Sequence, residues 1–257
     1  MANRIEVMMD RLLQKRVLRR WTRVADNAAA LPISQLKLQR GRARALRRQI
    51  DRVIHVADSR LTLPLIGANA IRRPMGSDWV YRPQIWRGPL NVPGLAAVES
   101  KTALGDEVTL FHDCAVSELT LRQIRNTRET DLAPFGLRMD VFRFDGSFLS
   151  LVLNLPQDGV TGLSRRHVVR LDAIVEMEKP LEIFARLNVR HGPNTEQIVR
   201  ELPLHEQEVF VEFDLAYTKL NEKRVEAMWV DLIFEGPEMN QIILRDITLS
   251  RRPRAEL

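Results

Sequence analysis

The sequence predicts a mainly β protein, an antiparallel and jelly-roll-like β-sandwich preceded by a basic α-helical N-terminal region. From residue 107 to residue 249, about nine segments alternate apolar and polar side chains, and no helical pattern separates one from the next. Alternation with a period of two places successive side chains on opposite faces of a strand. Strands that follow one another without helices pair into antiparallel sheets that pack face to face. An excess of arginine before residue 60 sets the N-terminal region apart.

The strand pattern is clearest near the C-terminus, in Ala227–Glu235 and Gln241–Ser250. In the first of these segments Met228, Val230, Leu232 and Phe234 share one face. Asp145-Gly146 is a hairpin turn signal between two earlier segments. The other predicted strands are Glu107–His112, Ser117–Ile124, Leu137–Phe144, Phe148–Leu155, His167–Met177, Leu181–His191 and Glu208–Tyr217.

Charge is distributed unevenly along the chain. Residues 1–60 hold fifteen Lys and Arg against five Asp and Glu, whereas residues 61–257 hold twenty-four against twenty-eight. The net charge of +6 therefore originates in the first quarter of the chain. Such asymmetry is typical of a basic arm that contacts an anionic surface or partner.

Two amphipathic helices are predicted in this basic region, over Met1–Ala25 and Gln35–Ser59. The second carries a ridge of arginines at helical spacing, and these are the predicted contacts to an anionic surface: Arg40, Arg44, Arg47, Arg48 and Arg52. The helices can lie on an anionic membrane, dock on a partner protein or on their own domain, or pair with each other. Nucleic acid is not expected as a partner, because no zinc-finger or RNP-like motif accompanies the arginines.

The predicted organisation has three parts: a helical region over 1–60, a connector over 61–98 and a β-sandwich domain over 99–257. The connector is rich in Pro and Gly, which excludes long regular elements. It also contains Trp79 and Trp86, and disordered linkers avoid aromatic residues. We therefore expect an ordered segment that lies against the sandwich.

Catalytic and metal-binding motifs are not evident. The sequence has no GxSxG, HExxH, P-loop, GxGxxG or paired CxxC motif, so no cofactor is expected. His112-Asp113-Cys114 offers three ligand types, but adjacent residues on a strand point to opposite faces, and no metal is expected there. A hydrolase pair of carboxylates among Asp172, Glu176, Glu178 and Glu182 is the weaker alternative to a non-catalytic protein.

The predicted ligand face lies on Leu181–His191. Leu181, Ile183, Ala185, Leu187 and Val189 alternate as core residues, which leaves a polar row on the opposite face. The predicted ligand-binding residues are Arg186, Asn188, Arg190, His191, Asn194 and Trp229. Such side chains donate and accept hydrogen bonds with sugar hydroxyls, and an indole covers an apolar sugar face. The alternative is a solvated sheet face with cross-strand ion pairs.

Two resemblances accompany these patterns. The ending from Val225 through GPEMNQIILRDITLSRRP resembles the last strands of galactose-binding-like and carbohydrate-binding-module jelly rolls, which implies a sandwich closed by these strands. The phrases LTLRQIRNT, IFARLNVRHGPNTEQ and FDLAYTKLNEKRVE resemble an uncharacterised alphaproteobacterial protein family of unknown function. That resemblance implies a bacterial origin and no mechanism. The calcium loop of many such jelly rolls is not evident, so no metal is implied.

Together these observations predict a non-catalytic sandwich that binds a glycan or glycoconjugate and carries a basic arm for an anionic surface. The alternative is a peripheral-membrane or assembly scaffold, including a virion-like structural component, whose sandwich binds protein. A sandwich-fold glycoside hydrolase is the third interpretation. Cys114 is the single cysteine and no apolar run reaches the ~20 residues of a membrane span. We therefore expect a cytoplasmic protein, including a peripheral position at the inner membrane.

Overall fold

The computed structural model describes residues 2–62, 71–128, 130–206 and 208–254. The chain divides into two compact units, Met1–Ile54 and His55–Leu257. Within the N-terminal helices, side chains are described for residues 13–26, 33–51, 53–54 and 57. The side chain of Arg52 and residues 63–70 of the predicted connector therefore lie outside the described part of the chain.

Two long helices form the N-terminal region, α1 over Ala2–Asp26 and α2 over Ile33–Thr62. A short 3-10 turn, Ala28–Ala30, separates them. Asn27 ends α1 by donating from its amide to the carbonyl of Arg23 over 2.9 Å, and Pro32 fixes the backbone just before α2. Both predicted helices are present. Over its described residues, neither has a stretch long and apolar enough to cross a bilayer.

The rest of the described chain is a β-sandwich with two short α-helices, α3 (Gln84–Arg87) and α4 (Gln157–Val160), and two 3-10 turns, Leu215–Tyr217 and Glu222–Arg224. Its described strands, in chain order, are β1 Trp79–Tyr81, β2 Gly94–Ala96, β3 Thr102–Leu104, β4 Val108–His112, β5 Glu118–Arg125, β6 Phe135–Arg143, β7 Leu149–Asn154, β8 His167–Met177, β9 Ile183–His191, β10 Asn194–Glu201, β11 Glu208–Asp214, β12 Val225–Phe234 and β13 Asn240–Pro253.

These strands form two antiparallel sheets. The seven-stranded sheet has the order β11-β8-β13-β6-β5-β2, with β1 paired to β13. The six-stranded sheet has the order β10-β9-β12-β7-β4-β3. The alternating side chains of both sheets meet in one aliphatic core, to which β9 contributes Ile183, Ala185, Leu187 and Val189. The predicted fold class, an antiparallel jelly-roll-like sandwich after basic helices, is confirmed.

Strand β10 is a strand that the sequence pattern did not predict. It pairs with β9 at the edge of the six-stranded sheet, and most of its side chains are exposed. An edge strand with little apolar cover on either face has no reason to alternate apolar and polar residues. Its sequence, NTEQIVRE, therefore resembles a loop.

The predicted connector contributes side chains to the sandwich core. Trp86 is fully buried, and its indole nitrogen donates to the carbonyl of Leu244 over 2.9 Å. The buried amide of Gln123 donates to the carbonyls of Ile85 and Gly88 over 2.6 and 2.8 Å. These bonds satisfy the backbone of a segment with little regular structure, and they explain how a Pro- and Gly-rich stretch is ordered.

We expect Trp86→Ala to lower the free energy of unfolding by about 3–5 kcal/mol, the range for a large aromatic removed from a packed core. Urea unfolding followed by circular dichroism measures this change. Met75→Ala is the control, since Met75 is 96% exposed and its loss should change stability by no more than about 0.5 kcal/mol. Equal stability of the two variants would contradict a core role for the connector.

Candidate ligand-binding site

The outer face of the six-stranded sheet carries four of the six predicted ligand residues. Strand register aligns Gln197, Asn188, Trp229 and Asn154 in one row across β10, β9, β12 and β7. Arg186 and Arg190 lie on the same face of β9, two residues to either side of Asn188. The structure therefore brings Arg186, Asn188 and Arg190 together, as the alternation on β9 predicts, and the pairing of β12 with β9 adds Trp229.

A hydrogen-bonded network occupies the centre of this face. Arg186 donates to Asp231 over 2.7 Å, and the amide of Asn188 donates to the same carboxylate oxygen over 3.1 Å. Gln197 donates in turn to the side-chain oxygen of Asn188 over 2.9 Å. Asn188 and Asp231 are almost fully buried under their neighbours, so the accessible part of the row consists of the exposed Gln197 and Asn154 and the partly exposed indole of Trp229.

The remaining predicted residues separate from this network. Arg190 is half exposed and lies 3.2 Å from Glu226. His191 turns towards the opposite side of the sheet, where it is buried and its Nδ1 accepts from the backbone amide of Asn221. Asn194 is directly opposite His191 in the β9–β10 hairpin and is exposed. His191 is two residues beyond Val189, so alternation along β9 places it on the core face. The sequence alone therefore indicates that His191 does not share a face with Arg190.

A groove crosses the outer face of the other, seven-stranded sheet. Its volume is about 370 Å³. The floor consists of outward side chains of β8, β11 and β13, and the described segment Arg72–Pro74 with Leu132 forms the wall. We call it the β8–β11 groove. Its outward floor residues include Arg170, Asp172, Ile174, Glu208, Phe210 and Thr248.

Two pairs of opposite charges set the chemistry of the groove. The guanidinium of Arg170 stacks on Phe210, with its carbon 3.7 Å from the ring centre, and its Nε donates to the carboxylate of Asp172 over 3.0 Å. Arg72 from the wall forms an ion pair with Glu208 on β11. Phe210 keeps half of its surface exposed between these charges. The groove thus offers an apolar ring, guanidinium donors and carboxylate acceptors within one concave surface.

A β-bulge in β13 gives the groove its buried end. The register shifts between Leu244 and Asp246, so that Leu244 and Ile247 both face the core while Asp246 faces outward. Arg82 covers Asp246 and donates to both carboxylate oxygens over 2.8 and 2.7 Å. Burial raises the pKa of Asp246, and the guanidinium of Arg82 opposes that rise.

Sequence reasoning did not locate this groove. Arg170 and Asp172 lie on β8, the strand that precedes β9 in sequence, but β8 and β9 belong to different sheets. Alternation shows which residues of a strand share a face, but strand partners are set by long-range pairing. The sequence indicates the groove only through Arg170 and Asp172, which are two residues apart on one predicted strand and therefore share its outward face.

The acidic cluster of β8 is engaged in ion pairs. Glu176 accepts from Arg245 over 2.6 Å and also pairs with Arg128. Burial alone would raise the pKa of Glu176, but hydrogen bonds and charge from Arg245 and Arg128 outweigh burial and lower it. A general acid needs a raised pKa, so Glu176 is not tuned to release a proton to a leaving group.

Metal ligands do not cluster in the described part of the chain, where no group of three or more His, Cys, Asp or Glu could hold an ion. His112 is buried and its Nε2 bonds with the carbonyl of Val98 over 2.8 Å. In the helical unit the predicted surface residues Arg40, Arg44, Arg47 and Arg48 are exposed, and Arg47 pairs with Asp51 on the next turn.

Similarity to a known protein family extends over the whole chain. The model of a family of unknown function, DUF6478, matches residues 1–257. The chain belongs to the DUF6478 family. This confirms the expected membership of a family without an assigned activity. None of the curated proteins compared with this DUF6478 chain matches it.

Solved structures similar to the DUF6478 chain include carbohydrate-binding modules. The family 11 module of a cellulosomal cellulase of Clostridium thermocellum aligns with 63% of this chain and 95% of its own, at 12% identity and a TM-score of 0.38. A family 22 module of Clostridium thermocellum Xyn10B aligns with 72% and 99%, at 7% identity and a TM-score of 0.37. The enzymatically active domain of bacteriophage CBA120 tailspike protein 4 aligns with 56% of this chain, at 8% identity and a TM-score of 0.39, but the alignment spans 19% of the tailspike chain. At these scores, the likeness says nothing about a ligand.

We expect Arg82→Met to lower stability by about 3–5 kcal/mol at neutral pH, because the buried carboxylate of Asp246 loses its counter-charge. Without Arg82, burial raises the pKa of Asp246 further. A raised folded-state pKa favours folding below the unfolded value of about 4, and this contribution is lost as pH rises through the folded value. Relative to wild type, the variant should therefore lose stability between acidic and neutral pH in urea unfolding.

The double variant Arg82→Met/Asp246→Asn is the control for this pH dependence. It removes the titrating group, so its difference from wild type should vary much less with pH than that of Arg82→Met alone. Parallel pH profiles for wild type and Arg82→Met would contradict the assignment of a buried, counter-charged carboxylate at the bulge.

Proposed function

We propose that the sandwich is a non-catalytic module that binds a glycan in the β8–β11 groove. The observation that carries this proposal is the stack of Arg170 on Phe210 beside Asp172, inside a groove of about 370 Å³. Sugar hydroxyls accept from a guanidinium and donate to a carboxylate, and the C–H face of a sugar ring packs on the part of an aromatic ring that the guanidinium leaves exposed.

The balance of charge in the groove favours a neutral, polar ligand. Three arginines and three acids line it, and these are Arg72, Arg73, Arg170, Asp172, Glu208 and Asp246. Asp172, Glu208 and Asp246 each have an arginine partner. A ligand with hydroxyl groups can bind to such pairs without a large desolvation cost, whereas an ion that binds at one of these pairs would compete with a partner already in place.

The row on the six-stranded sheet is the second surface for the same ligand class. It offers the indole of Trp229 between the amides of Asn188 and Asn154, with Arg186 and Arg190 beside them. The arginines of this face already pair with Asp231 and Glu226. Replacing Phe210 on one sheet and Trp229 on the other shows which of the two surfaces binds the ligand.

A glycan array on the full-length protein, followed by calorimetry on each glycan that binds, tests this proposal. We expect Arg170→Met to weaken binding by ~1.5–3 kcal/mol for a charged hydrogen bond lost, which is about tenfold or more. Phe210→Ala should also weaken binding, while Trp229→Ala should leave it close to wild type. All three side chains are partly exposed, so folding should persist, as thermal unfolding checks.

The result decides between the surfaces. Loss of binding in Trp229→Ala but not in Phe210→Ala would move the site to the six-stranded sheet. Unchanged binding in all three variants would exclude both faces, and an array on which no glycan binds would refute the glycan proposal itself.

The helical unit favours a second function, contact with an anionic membrane surface from the cytoplasmic side. Its apolar side chains are largely exposed in the described structure, among them Leu38, Ile50 and Val53. Arg40, Arg44, Arg47 and Arg48 are exposed on the same helix. Apolar and basic residues that share an exposed helix are typical of segments that lie at a membrane interface.

A further inference from the structure

The turn between α1 and α2 encloses a cleft of about 350 Å³ within the helical unit. Three arginines of α1, Arg16, Arg20 and Arg23, line its first side. Leu31 of the turn and Gln39 of α2 line the other.

The three arginines form a single stripe of uncompensated positive charge. Their spacing of four and then three residues places the side chains on one face of α1. Of the described residues, those that line the cleft include no carboxylate, and no ion pair to Arg16, Arg20 or Arg23 occurs among them. Like charges at this spacing repel each other and destabilise a helix. A bound anion would remove that repulsion.

Phosphate is the anion that this arrangement fits. A guanidinium donates two parallel hydrogen bonds to a phosphoryl group, and several guanidinium groups around one cleft can share its oxygens. The side chains of Asn27 and Gln39 add neutral polar groups at the rim. The cleft differs in this from the β8–β11 groove, where each of three acids has an arginine partner.

Apolar side chains on the same helix indicate the source of the phosphate. Leu13 and Val17 are 55% and 47% exposed on α1, and helical spacing places them next to the arginine stripe, whereas Leu18 lies on the opposite face. The acyl region of a membrane accepts such side chains while its headgroups meet the arginines. A nucleic acid supplies phosphates but no apolar layer. We propose that the cleft binds the phosphate headgroup of an anionic membrane lipid. This rests on the proposed membrane contact of the helical unit and names its specific site.

Flotation of the full-length protein with phosphatidylcholine vesicles, with and without phosphatidylglycerol, tests the cleft. The test variant is Arg16→Gln/Arg20→Gln, and the matched control is Lys15→Gln/Arg19→Gln. Both pairs lie four residues apart on α1 and remove two positive charges, but Lys15 and Arg19 do not line the cleft. Circular dichroism verifies that both variants keep their helix content.

We expect both variants to bind phosphatidylglycerol vesicles more weakly than wild type, and the cleft variant about tenfold more weakly than the control, because only the cleft arginines lose charge-assisted hydrogen bonds to a phosphate as well as surface charge. Equal losses would mean that vesicle binding depends only on the total positive charge of the helix. That result would contradict phosphate binding in the cleft but not the membrane contact. No binding of the wild type to either vesicle would overturn the membrane contact itself.

Two further arms identify the source of the phosphate. Inorganic phosphate and a single-stranded oligonucleotide are titrated into wild type and the cleft variant by calorimetry. If the oligonucleotide, or inorganic phosphate alone, binds with the same dependence on Arg16 and Arg20 while vesicles do not, the lipid assignment is wrong. Vesicle binding that depends on the cleft, together with weak binding of both soluble probes, supports it.

Discussion

The buried ion pair between Arg82 and Asp246 is the interaction on which the seven-stranded sheet depends. It joins the irregular segment before α3 to β13, the strand that pairs with β1, β6 and β8. The bulge at Asp246 turns this carboxylate outward while Leu244 and Ile247 stay in the core. Because a buried carboxylate without a counter-charge is costly, the bulge and the position of Arg82 require each other. The same pair borders the groove, so fold and candidate site share one constraint.

On both outer faces of the sandwich, arginines form ion pairs with neighbouring aspartates. Arg170 pairs with Asp172, Arg138 with Asp140 and Arg186 with Asp231, in each case on one strand or between neighbours. Held in pairs, these groups are close to neutral and fixed in orientation. Such a surface discriminates by the geometry of hydrogen bonds rather than by net charge. In the helical unit the arginines that line the cleft have no partner among the described residues, and net charge dominates there.

Alternation in the sequence was sufficient to predict the core, because Ile183 to Val189 on β9 or Met228 to Phe234 on β12 can bury one face in only one way. Which strands become neighbours could not be predicted, since pairing joins residues far apart in sequence. Arg170 and Arg186, outward residues of β8 and β9, lie on different sheets although their strands follow each other in sequence. Arg82 gave no signal, because a charged residue in a Pro-rich stretch is usually solvated, and its burial depends on a bulge more than 160 residues later.

The two candidate sites differ in how far their interactions extend through water. In the β8–β11 groove, the positive charge of Arg170 is cancelled at hydrogen-bond distance by Asp172, so little field remains beyond the groove. In the α1–α2 cleft, Arg16, Arg20 and Arg23 add their fields, and salt screens such fields over about 8 Å at physiological ionic strength. Binding in the groove should therefore be nearly independent of salt, whereas binding in the cleft should weaken steeply as salt is added. Salt concentration thus separates the two activities within the same intact chain.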